Sequence, residues 1–389
     1  RDRSVSRGLG DVYKRQVVSQ TEIKMININE TNKKHCCGCT ACESVCHKKC
    51  ISMQTDNEGF KYPVVDKTKC VNCRLCEKVC PILNKTHNVF PNTAYIVRNK
   101  NSEIVRSSTS GGAVTAFSKE IINNGGIVFG GAFDGNFYVK HTYAETESEL
   151  SKFRSSKYVQ SDMGTTFTEV KQQLDNGKFV MFTGTPCQVE GLQNYLRKPY
   201  DNLFTIDFVC RAVPSPLVWE KYREFMEKKF GSEITYANFR EKTYGYHSAN
   251  LTLRFANGKK SIENTNTDYM LKSFFKGICS RPSCYDCKFR EPGRVSDLTV
   301  FDCWNITRYV NGLADDDKGY TAVIIQSTKG AKLFEKAKHN LIVYPADPKL
   351  LLENDGHMAM ENPKYHKNRK EYFEMLNNGY NIEPVSYTH

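Results

Sequence analysis

The sequence lacks long hydrophobic runs. Its best apolar stretches, such as residues 127–133, have the length of a strand and fall short of the roughly 18 residues that a membrane span requires. No uninterrupted apolar segment near the N-terminus has the form of a secretory signal. We therefore expect a cytoplasmic chain without a membrane span.

A dinucleotide-binding fingerprint and a block of basic charge are also missing. No G-x-G-x-x-G follows a predicted strand, so a Rossmann site is unsupported. Although 55 Lys and Arg against 43 Asp and Glu give a formal charge of +12, no basic helix or run collects that surplus. We therefore expect a solvated surface and no nucleic-acid partner, with a zinc-dependent nucleic-acid binder as the less favoured alternative.

What is present is the composition of a folded protein with unusually many cysteines. With 389 residues, of which 39% are apolar and 25% charged, the chain is long enough for two or three domains. Ten of its sixteen cysteines lie between Cys36 and Cys80. A large chain without a secretory signal has no need of a disulfide framework, so this density of thiols indicates a metal centre.

The cysteine-rich segment contains one pattern twice, at an offset of 34 residues. Both copies read C-x2-C-x2-C-x3-C, and Pro81 follows the second. Three thiolates from one loop hold one 4Fe–4S cluster, and the fourth cysteine of each copy serves the other cluster. The spacing therefore predicts two four-cysteine sets: Cys36, Cys39, Cys42 and Cys80; and Cys70, Cys73, Cys76 and Cys46.

Zinc is the alternative for this segment, but its sites usually use two C-x2-C knuckles with a longer spacer, so iron–sulfur is favoured. Between the copies, residues 51–53 and 62–65 flank a turn at 56–59, which predicts a short hairpin. Cys37 and Cys50 fall outside the ligand spacing and are expected to be small buried residues. Residues 33–84 resemble the bacterial two-cluster ferredoxin, except that His47 stands where proline is usual.

The chain ends are set apart from the fold. Residues 1–16 and 385–389 read as translated adaptor sequence. We expect Met25 to be the native start. The predicted divisions are a non-native or disordered extension at 1–24, a two-cluster 4Fe–4S ferredoxin-like domain at 25–85, a linker at 86–92, a mixed α/β domain at 93–380, and a partly non-native tail at 381–389.

The larger domain alternates predicted strands with predicted helices, which indicates a mixed α/β fold whose central sheet is covered on both faces. Strands are predicted at 127–133, 139–144, 179–182, 204–209, 234–239, 251–255, 298–301 and 322–326. Helices are predicted at 114–123, 163–175, 188–196, 217–229, 269–275, 331–338 and 365–376. The first two strands are expected to pair as a hairpin.

Four of the remaining cysteines lie at element ends or in a loop. Cys187 follows one predicted strand, Cys210 ends the next, and Cys284 and Cys287 form a C-x2-C. If the two strands are neighbours, both cysteines emerge at one edge of the sheet, where the C-x2-C pair would complete a four-thiolate site. Scattered core cysteines and a zinc knuckle are the alternatives at this point. Cys279 and Cys303 lie outside this predicted site and are assigned no role.

A run of small polar residues opens the first helix of this domain. It consists of Ser107, Ser108, Thr109, Ser110, Gly111 and Gly112. Such a loop can hold a pyrophosphate with its N–H groups and hydroxyls, but an ordinary N-cap is the commoner reason for Ser or Thr there. Lys157 is a candidate for neutralising a phosphate, and His141 is either a proton donor or a structural histidine.

Five stretches together resemble the coenzyme F420 hydrogenase/dehydrogenase beta-subunit family over about residues 93–340. They are SSTSGGAVTAF (107–117), SSKYVQSD (155–162), FTGTPCQVEGL (182–192), DFVCRAVPSPLVW (207–219) and RPSCYDCKFR (281–290). The resemblance implies a third 4Fe–4S cluster on Cys187, Cys210, Cys284 and Cys287, beside an FAD. It also favours phosphate binding by the Ser/Gly run. Arg211-Ala212 and residues 301–305 depart from the family by losing glycines.

These observations predict an iron–sulfur flavoprotein oxidoreductase. Electrons would pass between the ferredoxin-type clusters and a flavin that exchanges hydride with an organic acceptor or donor, coenzyme F420-like or other. The expected partners are a redox protein or electron donor and a small-molecule hydride acceptor or donor. No side chain is assigned a catalytic role, because the flavin supplies the reactive atom. The alternative is a non-catalytic electron-relay subunit of a larger redox complex.

Overall fold

The computed structural model describes residues 33–248 and 250–383. The predicted extension at 1–24, the expected start at Met25 and the end of the tail at 384–389 lie outside the described residues. Within them, no helix has both the length and the apolar character needed to cross a membrane.

Thirteen strands form the sheets of the described chain. They are β1 (Ile51–Thr55), β2 (Lys61–Val65), β3 (Thr93–Asn99), β4 (Ile127–Phe133), β5 (Val139–Ala144), β6 (Val180–Gly184), β7 (Leu203–Phe208), β8 (Ile234–Glu241), β9 (Asn250–Phe255), β10 (Lys260–Asn264), β11 (Leu298–Cys303), β12 (Tyr320–Ile325) and β13 (Leu341–Ala346).

The described chain also contains twelve α-helices, along with short 3-10 turns such as Pro282–Asp286. The helices are α1 (Ala41–Val45), α2 (Leu75–Lys78), α3 (Ser102–Ser107), α4 (Ala113–Asn123), α5 (Thr166–Asp175), α6 (Pro186–Leu196), α7 (Pro216–Phe230), α8 (Tyr269–Phe275), α9 (Ile306–Tyr309), α10 (Thr328–Ala337), α11 (Pro348–Asn354) and α12 (Arg369–Asn377).

The N-terminal region is small and built around the two cysteine loops. Strands β1 and β2 pair antiparallel, with Ile51 opposite Val65, which confirms the predicted hairpin. The Asp56 side chain accepts hydrogen bonds from the N–H groups of Glu58 and Phe60 and so fixes the turn between the strands. Each cysteine loop leads into a single short helix, α1 or α2.

An eight-stranded mixed sheet forms the centre of the larger part, in the order β13-β3-β12-β11-β7-β6-β4-β5. Its four middle strands, β11, β7, β6 and β4, run parallel, and the outer pairings are antiparallel. The hairpin of β4 and β5 has the predicted bounds. The predicted fold class, in which a small N-terminal region precedes a mixed α/β domain with a central sheet, is confirmed.

Helices cover both faces of this sheet, as predicted. On one face α4 and α10 bury residues such as Phe117 and Phe334 against Met181 and Val323 of the sheet. On the other face α5 and α6 bury Phe167 against Phe182, together with buried residues of the N-terminal region. The N-terminal region therefore lies against the same layer as α6, the helix that carries Cys187.

A second sheet was not predicted. Strands β8, β9 and β10 form a separate antiparallel sheet in the order β10-β9-β8. Its core is shared with α7, α8 and α12 and includes Trp219 and Phe239, and it extends to Phe60 of the N-terminal region. The sequence pattern identified two of these strands but could not separate them from the main sheet, because strand pattern does not record the pairing partner.

Candidate functional site

The first set of cysteines predicted for one cluster lies together in the N-terminal region. Burial raises the pKa of the Cys42 thiol, and the neighbouring Cys36 and Cys80 sulfurs raise it further. The pKa of Cys80 is likewise raised, first by burial and then by Cys36. The pKa of the Cys39 thiol is also raised: Cys37 lowers it, but burial and the Cys80 and Cys42 sulfurs raise it by more. Four thiols that influence one another in this way suit the donor set that a 4Fe–4S cluster uses, and Cys76 of the second set also influences Cys42 and Cys80.

The second set is more exposed and includes an additional thiol. Cys73 is exposed, and its sulfur influences the pKa of Cys76. Cys46 and Cys70 are linked by Cys50, whose sulfur lies 3.3 Å from that of Cys46. Burial raises the pKa of Cys50 to about 12, and its contacts with Cys46 and Cys70 add to the increase. Cys50 is buried, as expected, but it also packs between two of the predicted ligands.

The backbone of the two cysteine loops repeats with the same offset as the sequence. Gly38 and Thr40 have left-handed φ values of 71° and 70°, and Asn72 and Arg74 have 53° and 59°. Left-handed residues at alternate positions turn the chain tightly enough for neighbouring thiols to face one point. The two loops are thus conformational copies, which the cysteine spacing had indicated.

The rear set, Cys187, Cys210, Cys284 and Cys287, is placed by two parallel strands and a turn. Cys187 is the second residue of α6, which begins there because Thr185 and Gln188 form a capping box and Pro186 occupies the first turn. Cys210 follows β7, the parallel neighbour of β6. The strands preceding Cys187 and Cys210 are therefore adjacent, and both cysteines emerge at the carboxyl edge of the sheet.

The four rear thiols are mutual neighbours. The pKa of Cys210 is raised, first by burial and then by Cys284, Cys187 and Cys287. Burial raises that of Cys284 to about 12, and Cys287 and Cys187 contribute. Burial and Cys187 raise that of Cys287. Every pair within the set is thus close enough to interact, which fits four ligands that each hold a different iron of one cluster.

No three or more His, Cys, Asp or Glu side chains among the described residues are grouped to hold a single metal ion. The fit of the three cysteine sets therefore rests on their donor chemistry and mutual proximity. Thiolates are soft ligands, suited to iron–sulfur clusters or zinc.

Cys37 connects the front and rear sets, a role that the sequence reasoning missed. Its side chain is buried, and the pKa of its thiol is raised: Cys187 lowers it, whereas Cys39 and burial raise it by more. Beside it, α6 approaches the front loop so closely that a Cβ on Gly191 would stand 2.9 Å from the Cys39 sulfur. Cys37 and α6 therefore bring the front and rear sets close together.

A cavity of about 1030 Å³ opens on the other side of the rear set. All four parallel strands contribute to its wall near their carboxyl ends, with residues such as Gly131, Thr183, Phe208 and Asp302. Cys210 also lines it. In sheets of this kind, ligands bind outside the carboxyl ends of the parallel strands, and the volume is at the upper end of ordinary ligand sites.

The Ser/Gly run reaches this cavity, but in a different way from the predicted one. Ser108, Thr109, Ser110 and Gly112 line the cavity, whereas Ser107 and Gly111 are not among the residues lining it. Ser107 ends α3, and the Ser107 and Ser108 hydroxyls donate to carbonyls of that helix, so they are unavailable as a phosphate cradle. In a helix, a serine hydroxyl can donate to the backbone carbonyl four residues earlier, and both serines do so here.

The helix N-terminus beyond the run is more favourable for an anion. Helix α4 follows Gly112, whose φ is +76°, and has no side-chain cap. Its first residues, Ala113, Val114 and Thr115, line the cavity. Gly111 is required because a Cβ there would stand 2.5 Å from the Val97 carbonyl oxygen. Uncapped N–H groups at a helix start, with the helix dipole behind them, are suited to phosphate.

Lys157 and His141 also line the cavity, with different surroundings. The Lys157 ammonium donates to the carbonyls of Lys152 and Arg154, and burial lowers its pKa to about 7. The adjacent Ser156 is hydrogen-bonded to Thr109, which joins this segment to the Ser/Gly run. Both ring nitrogens of His141 have partners, Ser161 and Thr183, and burial lowers its pKa to about 4. The structural interpretation of His141 is therefore favoured.

Several charged groups at the cavity have polar atoms without a protein partner among the described residues. These are Arg154 Nε, Arg211 Nε, Arg240 Nη2 and Asp302 Oδ1. Unpaired buried donors and acceptors are costly unless a ligand or water satisfies them. Three cationic groups and an uncapped helix start therefore suit a large ligand with anionic groups, and the residues fit an FAD.

Two family matches accord with this arrangement. Residues 35–83 match the 4Fe-4S dicluster domain, and residues 177–349 match the family described as the C terminus of the coenzyme F420 hydrogenase/dehydrogenase beta subunit. Both resemblances are thereby confirmed, and the stretches at 107–117 and 155–162 lie outside the matched residues. No curated protein has significant similarity to the chain.

Among solved structures, the chain resembles a subunit of the F420-reducing NiFe hydrogenase complex from Methanosarcina barkeri. The identity is 18%, the match covers 76% of this chain and 95% of that one, and the TM-score is 0.46. A similarity of this size carries no functional argument.

Proposed function

We propose that this chain, an iron–sulfur redox protein related to the beta subunits of coenzyme F420 hydrogenases and dehydrogenases, is a flavin-dependent oxidoreductase. In this proposal the region 25–85 holds two 4Fe–4S clusters, and the domain 93–380 holds a third cluster and FAD. The front clusters exchange electrons with a redox partner. An organic acceptor or donor exchanges hydride at the cavity.

The position of Cys210 carries the proposal. It interacts with the other three rear thiols and also lines the large cavity, so a ligand there would lie beside the rear cluster. On the opposite side, Cys187 contacts Cys37, which contacts Cys39 of the first front set. Cys76, which is influenced by the exposed Cys73, in turn influences the pKa of Cys42, so neighbouring sets lie close together from the Cys73 loop to the cavity.

Different protein groups would bind the pyrophosphate of FAD and its flavin ring. The start of α4 and the segment with Arg154 and Lys157 would hold the pyrophosphate, since cationic groups and free N–H groups gather there. Residues near Cys210 would position the ring. FAD supplies the conversion between one-electron and hydride transfer. Ser108, Thr109, Ser110 and Gly112 complete the wall beside α4.

The deciding experiment is anaerobic purification followed by measurement of iron, sulfide and flavin per chain, and then a screen of hydride acceptors. We expect about twelve iron atoms, as three 4Fe–4S clusters require, and about one FAD. Full iron with little flavin, or flavin reduction only when a partner protein is added, would instead support the electron-relay subunit. A colourless protein with zinc in place of iron would refute both.

A further inference from the structure

We propose that the positive charge of Arg281 raises the reduction potentials of the two clusters on either side of it, the first front cluster and the rear cluster. The inference rests on the proposed function, since it requires those clusters. Arg281 lies three residues before Cys284 and directly precedes the turn Pro282–Asp286. Its side chain extends from the rear set into the loop of the front set.

Arg281 differs from the other buried arginines because it has no acidic partner. Its relative exposure is 0%. Within the part of the chain that the structure describes, five arginines are buried, and four of them form ion pairs: Arg98 with Asp316, Arg240 with Asp302, Arg294 with Asp207, and Arg369 with Glu58. Arg281 forms none there. A buried charge without a counter-charge is strongly unfavourable, so this site is expected to contain an anion.

The guanidinium is nevertheless held in one orientation by neutral groups. Its Nε donates to the Cys36 carbonyl at 2.7 Å, Nη1 to the Gln160 side-chain oxygen at 2.9 Å, and Nη2 to the Lys61 carbonyl at 2.9 Å. The Tyr62 ring lies 4.3 Å below it. These contacts direct the cation at the front loop and leave its charge without neutralisation.

The cysteine sulfur nearest to the guanidinium belongs to the first front set. Nη2 lies 3.8 Å from the Cys36 sulfur. On the rear side, the N–H of Cys284 donates to the Arg281 carbonyl at 2.9 Å. A cluster held by four thiolates carries negative charge, which would supply the missing counter-charge on both sides.

Gly38 supports the same placement from the front loop. A Cβ on this residue would stand 2.8 Å from Nη1 and 2.9 Å from Cζ of Arg281. The loop between Cys36 and Cys39 therefore closes directly over the guanidinium, with no space for a side chain.

The expected effect on reduction follows from charge. A cluster gains one electron on reduction, no bond is formed or broken, and its net charge becomes more negative. A fixed cation nearby stabilises the reduced form more than the oxidised form and so raises the midpoint potential, a dependence on local charge and hydrogen bonding that is general for these clusters.

The test is an anaerobic redox titration of the full-length holoprotein, followed by EPR, with dithionite as reductant. Arg281→Gln is expected to make reduction of at least one of the two clusters about tenfold less favourable, which corresponds to about 59 mV for a one-electron couple. Arg281→Lys keeps the charge and is expected to stay close to the parent potential.

Two further variants separate charge from structure. Gln160→Glu places a carboxylate against Nη1 without removing the guanidinium, so it should lower the same potential even if Arg281→Gln does not assemble. The double variant Arg98→Gln/Asp316→Asn alters another buried arginine, one that belongs to the main sheet, and should leave the potentials unchanged. Unchanged potentials in both Arg281→Gln and Gln160→Glu, with full iron content, would overturn the inference alone. A parent protein without iron would overturn the proposed function as well.

Discussion

The sixteen cysteines differ in what surrounds each sulfur atom. All sixteen are free thiols in the structure. Cys279 is buried without another cysteine acting on it, and burial raises its pKa to about 12, as expected of a structural thiol. Cys37 is similarly buried but contacts two predicted ligands. The cysteine spacing alone separated the predicted ligands from the other cysteines, but it could not reveal that Cys37 lies between two sets.

Serine variants of one cysteine from each end of the relay should separate the clusters. Cys73→Ser should lower iron by about four atoms per chain and leave flavin bound, because Cys73 is exposed and no cysteine of its set lines the cavity. Cys284→Ser should lower iron equally and also alter the flavin spectrum. Cys279→Ser is the control. Equal iron in all variants and the parent would refute the assignment.

The charge on Lys157 should make flavin binding depend on pH. Burial lowers its pKa to about 7, so the ammonium is present below that pH and is lost as pH rises through it. Affinity of the apoprotein for FAD should therefore fall by up to about tenfold per unit between about pH 7 and 8. Fluorescence titration measures this, and Lys157→Met should abolish the slope while the surface variant Lys171→Met keeps it. A pH-independent parent would contradict the role.

Helices and strands were predicted correctly where the periodicity of apolar residues coincided with residues that typically start or end such elements. The bounds of β4 and β5 were correct, and α6 began two residues before its predicted start because Pro186 occupies its first turn. Strands β3, β10 and β13 were missed, and the exposed polar residues of β10 give little period-two signal. The Ser/Gly run was misread because its first residues end a helix, α3, that the pattern had not indicated.

At the same scale, α6 should not tolerate a side chain where it meets the front loop. Gly191→Ala places a methyl group 2.9 Å from both Cβ and sulfur of Cys39, and neither atom can move freely. We expect a loss of about 1–3 kcal/mol in the free energy of unfolding, with reduced iron content. Urea unfolding with Gly135→Ala as control, which meets nothing within 4 Å, measures the effect. Equal stability of both variants would show that the helix shifts without cost.

On the scale of the whole molecule, contacts between residues distant in sequence hold the N-terminal region in place. Arg369 of α12 forms a two-pronged ion pair with Glu58, each oxygen at 2.6 Å, and these residues are 311 positions apart. Ser215 and Asn377 donate to carbonyls of the same turn. No local pattern marks such pairs, which is why the two regions were predicted but their docking was not.

Breaking this pair should loosen the docked region. Arg369→Gln leaves the Glu58 carboxylate partly buried without a partner and should cost about 3 kcal/mol of stability. Glu58→Gln/Arg369→Gln removes both charges and should recover part of that loss. Urea unfolding and limited proteolysis at residues 84–92 report the change. A double variant less stable than Arg369→Gln would contradict this account.

The separation of Glu58 and Arg369 in sequence also has a consequence for biosynthesis. N-terminal segments leave the ribosome first, so the cysteine loops emerge well before α12, whose arginine pairs with Glu58. The ion pair that ties the turn of the N-terminal hairpin to α12 can therefore form only after all eight strands of the main sheet have been synthesised.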